Sequence, residues 1–135
     1  MSWLFDQNPA NYLGIVSATP DYDSAYTLSF WVRLNATPDE FFALTMLFAG
    51  FGDYDLIAVD SSGKLYVQNV AGGAASDGTF GSVDDGLWHH VGLVSDAEAT
   101  TQYVYLDGVL QGTVATGGAR SISNSVLYIG TFAGI

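Results

Sequence analysis

The chain contains no cysteine. That excludes a disulfide framework, thiol catalysis and cysteine-ligated zinc or iron–sulfur sites. Base is almost as scarce: Arg33, Lys64 and Arg120 stand against 14 acids, for a formal net charge of −11. Nucleic-acid binding is excluded with it, because neutralising phosphates takes clustered Lys and Arg. The same shortage argues against sulfated glycans. Glutamate is limited to Glu40 and Glu98, each between apolar runs and far from the other. No run approaches the ~18 apolar residues of a membrane-spanning helix, so membrane insertion is not expected. Helical periodicity is missing as well. Only Pro38-Asp-Glu-Phe-Phe42 suits a single helical turn, since Pro and acids favour a helix start.

What is present favours strands. Hydrophobic residues make up 49% of the 135 residues, with 16 Gly and 3 Pro, enough for one domain with its own core and too apolar for disorder. Aromatic and β-branched residues recur in short runs separated by Gly, Asp, Ser and Asn, the pattern of an all-β chain. The run from Gly86 to Asp96 reads as a central strand, with Trp88, Val91, Leu93 and Val94 offering apolar side chains to both faces. Asp107-Gly108, between Tyr105-Leu106 and Val109-Leu110, reads as a two-residue hairpin turn, because both turn positions need positive φ. Along Tyr26–Leu34 the two-residue period puts Leu28, Phe30, Val32 and Leu34 on one face and Thr27, Ser29, Trp31 and Arg33 on the other. The expected core comprises Leu28, Phe30, Val32, Trp88, Val91, Leu93, Val104 and Leu106. The small residues from Ala71 to Gly78 suit a flexible loop; without a Gly-Lys-Ser/Thr ending they are no phosphate loop.

The order Trp88-His-His-Val91 followed by Tyr103-Val-Tyr-Leu-Asp-Gly108 resembles the central signature of laminin-G-like domains, within the concanavalin-A-like jelly-roll group. Other segments resemble the same family in the same order: Trp3-Leu-Phe-Asp6 with Asn11-Tyr-Leu13, Ala25–Leu34, the hairpin Asp60-Ser-Ser-Gly-Lys-Leu-Tyr66, and Ser125-Val-Leu-Tyr-Ile-Gly130. The resemblance implies an antiparallel two-sheet β-sandwich of jelly-roll topology over residues 1–135. It also implies a last strand with Asp/Glu-Val alternation, which is missing before Ile135. The expectation is an unpaired sheet edge that an identical subunit, another virion protein or further chain would cover. Met1-Ser-Trp-Leu-Phe-Asp6 has no basic n-region and no apolar h-region, and this opening resembles stand-alone laminin-G-like proteins of phage particles.

Candidate sites are few. Trp31, flanked by hydroxyls and Arg33, is a platform for a sugar ring, or else an aromatic covered by a neighbouring loop. His89 and His90 point to opposite faces and cannot chelate one ion together; each is expected to hydrogen-bond a neighbouring strand or loop. The resemblance implies calcium as a candidate cofactor, with Asp53 and Asp55 as the candidate ligands at i, i+2 on one strand face, since calcium takes six to eight oxygens. No catalytic residue is assigned: the jelly-roll glycosidase motif Glu-x-Asp-x-x-Glu is absent, as is a Gly-x-Ser-x-Gly elbow. The expected function is a non-enzymatic recognition or scaffolding module at a virion surface or outside the cell, with weak contact to surface glycans. The alternatives are a carbohydrate-binding domain of a secreted bacterial protein and a glycoside hydrolase of the same fold.

Overall fold

A computed structural model describes residues 12–16, 25–50, 52–96, 100–116 and 126–130, and short apolar runs, alternating along Tyr26–Val32 and Thr101–Leu106 and continuously buried along Phe42–Leu47 and Leu56–Val59, make ten strands among them. They are β1 (Tyr12–Val16), β2 (Tyr26–Val32), β3 (Phe42–Gly50), β4 (Asp53–Val59), β5 (Lys64–Ala71), β6 (Ala74–Ser82), β7 (His89–Asp96), β8 (Thr101–Leu106), β9 (Val109–Ala115) and β10 (Val126–Gly130). One sheet has six strands in the order β1-β10-β3-β4-β5-β6, and the other has four in the order β2-β7-β8-β9. Every neighbouring pair is antiparallel. The architecture is the all-β jelly-roll sandwich. No described helix is long and apolar enough to cross a membrane.

The hairpins are set by residues that tolerate positive φ. Asp107 (φ 52°) and Gly108 (φ 78°) join β8 to β9, as the Asp-Gly pair requires. Gly72 (φ 57°) and Gly73 (φ 80°) do the same between β5 and β6. The small-residue run expected as a flexible loop is therefore a tight turn continued by strand β6, because paired glycines supply the geometry of a two-residue connection. Between β4 and β5, Asp60 closes the turn on itself: its Oδ1 accepts from Ser62 N at 2.8 Å and Lys64 N at 3.0 Å. The expected helical turn near Pro38 is a pair of bends instead, at residues 35–36 and 39–40.

The core lies between the sheets. Val91 and Leu93 of β7, Val104 and Leu106 of β8 and Val114 of β9 meet Phe42, Leu44, Ile57, Val59, Leu65 and Val67 of the larger sheet. Leu28, Phe30, Val32 and Leu34 pack against this cluster and are partly buried, as befits an edge strand. Trp88 departs from expectation: it is 55% exposed. Strand β7 begins one residue later, and its buried positions Val91 and Leu93 are odd-numbered. The two-residue period therefore turns Trp88 outward, on the face of His90.

One polar cluster crosses the same interior. Asp55 of β4 is 4% exposed, and its Oδ2 accepts the Tyr26 hydroxyl of β2. Its Oδ1 accepts Asn69 Nδ2 of β5 at 2.5 Å and Gln102 Nε2 of β8 at 2.8 Å. Gln102 Nε2 also reaches the Tyr26 oxygen at 3.2 Å. A buried carboxylate is tolerable only with such donors around it, and here they come from both sheets.

Two outcomes follow. Leu93→Ala should cost about 2–5 kcal/mol in urea unfolding, whereas Trp88→Ala should stay within roughly 1 kcal/mol; equal losses would contradict the outward placement of Trp88. Asp55→Ala strands buried donors and should cost at least ~2 kcal/mol. That loss should be unchanged by chelator or millimolar Ca²⁺, because it comes from the cluster itself.

Candidate functional site

The outer face of the four-stranded sheet carries the exposed Trp31 and Arg33. β2 pairs with β7 so that Trp31 lies opposite His90 and Val32 opposite His89. Trp31 is 64% exposed, and its ring lies 5.2 Å from that of His90, tilted by 52°. The exposure favours the uncovered-platform reading of Trp31. Arg33, two residues further, is exposed too, and continuing the register sets it opposite Trp88. Thr27 and Ser29 extend the same face as exposed hydroxyls. Gly92, opposite both Ser29 and Tyr105, carries no side chain into the space between them.

Two open indoles, a guanidinium and an imidazole thus share one end of one sheet face. An indole face receives the C–H face of a pyranose, while Arg and His donate to hydroxyl or carboxyl oxygens. Arg33 makes no ion pair or hydrogen bond among the described residues, in a chain with 14 acids. Trp31 and Arg33 were legible from strand alternation. Trp88 was missed because a large apolar residue beside a buried run reads as core; its even-numbered kinship with His90 was the available signal.

His89 faces the other way, into the end of the sandwich, with its side chain 12% exposed. Its Nδ1 lies 2.8 Å from Asp107 Oδ2 and its Nε2 lies 2.9 Å from Asp85 Oδ1. Hydrogen bonding to Asp107 first, then to Asp85, raises the His89 pKa against the opposing effect of burial. Both acids are held below the usual carboxylate value, chiefly by their bonds to His89. The expectation of opposite faces for the two histidines holds, and His89 binds loop and turn acids as expected.

The other face of the larger sheet carries a second buried cluster, Ala43, Met46, Leu56 and Ala58, with Tyr54, Tyr66 and Tyr128 packed against it, which alternation alone did not reveal. Tyr66 donates to Asp77 Oδ2 at 2.9 Å and Tyr54 donates to Gln68 Oε1 at 2.9 Å. Phe41 meets the Tyr66 ring edge-on at 4.8 Å. Burial, then the bond to Asp77, pushes the Tyr66 pKa up to about 12, so this phenol remains a donor.

The calcium candidates are placed apart in role. Asp55 is spent on the inter-sheet cluster, with amide and hydroxyl donors on both oxygens. Asp53 Oδ1 accepts the Gly72 amide at 3.0 Å and so braces the β5–β6 turn. Calcium needs a convergent set of oxygen acceptors; donors surround Asp55 instead, so the pair does not fit that ion. Among the described residues no group of three or more His, Asp or Glu side chains is placed to hold a metal.

The family model described as "Concanavalin A-like lectin/glucanases superfamily", of laminin-G type, matches residues 7–134. Domains LG4-5 of the mouse laminin α1 chain superpose with a TM-score of 0.72 at 16% identity, covering 87% of this chain and 31% of that one. The chain therefore spans under a third of that laminin structure. The CBM40 of the Ruminococcus gnavus IT-sialidase, bound to α2,3-sialyllactose, superposes with a TM-score of 0.62 at 13% identity, covering 84% and 71% of the two chains. The carbohydrate-binding module CBM66 from Bacillus subtilis gives a TM-score of 0.57 at 16% identity, with 89% and 74% covered. A search of the curated proteins finds no match. With the two-sheet topology, the Trp-His-His and Asp-Gly segments in place and a family model spanning residues 7–134, the chain belongs to the laminin-G-type family of the concanavalin A-like lectin/glucanases superfamily.

Proposed function

We propose that this domain is a non-enzymatic recognition module that binds glycans on the outer face of its four-stranded sheet. The observation that carries the reading is the pair of exposed tryptophans, Trp31 at 64% and Trp88 at 55%: the β2–β7 register sets Trp31 opposite His90, and Arg33 and Trp88 are the chain neighbours of its last pair, Val32 and His89. Exposing two indoles costs hydration free energy that folding would otherwise recover, and a sugar-binding surface gives that exposure a use. Two relatives in fold support the reading, the R. gnavus CBM40 bound to α2,3-sialyllactose and the B. subtilis carbohydrate-binding module CBM66. Hydrolysis is not part of the proposal: among the described residues the Asp85 and Asp107 carboxylates near Trp88 are both bonded to His89, and the sequence lacks the glycosidase motif Glu-x-Asp-x-x-Glu. The setting we propose, a virion surface where the module mediates attachment, rests on the resemblance of the opening segment to phage structural proteins.

A glycan array followed by calorimetry on the best glycan tests the site. Trp31→Ala and Trp88→Ala should each weaken binding at least about tenfold, equivalent to ~1.4 kcal/mol, with thermal stability little changed. Binding that survives both substitutions, or moves with Tyr66→Phe instead, would shift the site to the larger sheet.

A further inference from the structure

We infer that Asp85, His89 and Asp107 form a proton-operated latch beneath the glycan face, holding Trp88 and His90 in place while both nitrogens of His89 are protonated and releasing them when one proton is lost. The regulatory part rests on the glycan reading above; the latch itself rests on geometry alone.

A neutral imidazole has one N–H, and an ionised carboxylate only accepts. His89 has a carboxylate oxygen within 3 Å of each ring nitrogen, at 2.8 Å and 2.9 Å. Both contacts hold together only when both nitrogens carry protons. Removing one proton turns one contact into a lone pair facing a carboxylate, and that acid must move away.

Both acids carry backbone as well. Asp85 Oδ1 also accepts the Leu87 amide at 2.8 Å, which curls the segment leading to Trp88. Asp107 Oδ1 accepts the His90 amide at 2.8 Å, and the Asp107 amide returns a bond to the His90 carbonyl at 2.8 Å. One imidazolium therefore ties the entry to β7, its second residue and the β8–β9 turn. Trp88 and His90 are the immediate chain neighbours of His89, so a shift of residue 89 displaces both.

The sign follows from which groups are shifted. His89 titrates above its ordinary 6.5, through Asp107 first and Asp85 second. Its contribution is full below pH 6.5 and is lost as pH rises through the raised value. Asp85 and Asp107 titrate below their ordinary 3.8, so on the acid side the latch persists until pH falls through those lowered values. The groups acting on His89 are these two acids; His90 adds a weaker field at Asp107.

The test is an NMR titration of the whole chain between pH 5 and 9, reading the His89 ring together with amide protection factors at His90 and Asp107. The His89 midpoint should lie above 6.5, and the protection factors should fall through that same midpoint. Asp85→Asn should carry both transitions to lower pH, a response that a merely structural bond would not give. Affinity for the best array glycan should fall at least about threefold across the midpoint in the natural sequence, and should be flat over that range in His89→Phe. A His89 midpoint at or below 6.5, or protection that ignores it, overturns the latch. If no glycan binds while the ring and amides titrate together, the glycan reading fails and the latch stands. Trp31-dependent binding that stays level across the midpoint would overturn the regulation and leave the glycan reading intact.

Discussion

The antiparallel pairing of β7 with β2 on one side and β8 on the other is the constraint through which core, turn and face are linked. Its odd positions send Val91 and Leu93 into the sandwich and His89 to the sandwich end. Its even positions send His90 outward against Trp31. Slipping the pairing by one residue would exchange the two sets, placing imidazole in the core and valine in water. Burial of the odd set thus fixes the outward address of the even set, so that the arrangement of the face is inherited from the stability of the interior.

The second tie between the sheets is polar. Asp55, Asn69, Tyr26 and Gln102 come from four different strands, two in each sheet. Such a cluster gains little net free energy over an apolar core of the same shape, because each group gives up water to enter it. Its effect is on register: a shift of either sheet would leave an ionised carboxylate without donors. Apolar contacts tolerate small slides, whereas a carboxylate held by three side chains does not.

Much of the fold was legible because local chemistry and global topology agree. The Asp107-Gly108 turn, the sidedness of β2 and the buried positions of β7 and β8 follow from φ requirements and the period of a strand. Legibility ended where the same residue type serves two purposes. Trp88 is as apolar as a core residue, yet sits one step before β7 on the outward phase. Gly72-Gly73 reads equally as slack or as a tight turn until the flanking strands are seen to pair. Asp55 resembles a loop ligand in sequence; only the partners on β2, β5 and β8, distant in the chain, make it an interior anchor. The stretch before Ile135, where the family's last strand is expected to be missing, lies outside the described residues. Of the candidate site, Trp31 and Arg33 were visible from alternation, while Trp88 and His90 joined them only through cross-strand register.

Arg33, which makes no ion pair or hydrogen bond among the described residues, leaves a positive charge open on the outer face of a chain of net charge −11. At the proposed glycan site that charge would favour an anionic sugar over a neutral one. The preference would weaken as salt rises, because exposed charges are screened over a Debye length, ~8 Å at physiological ionic strength.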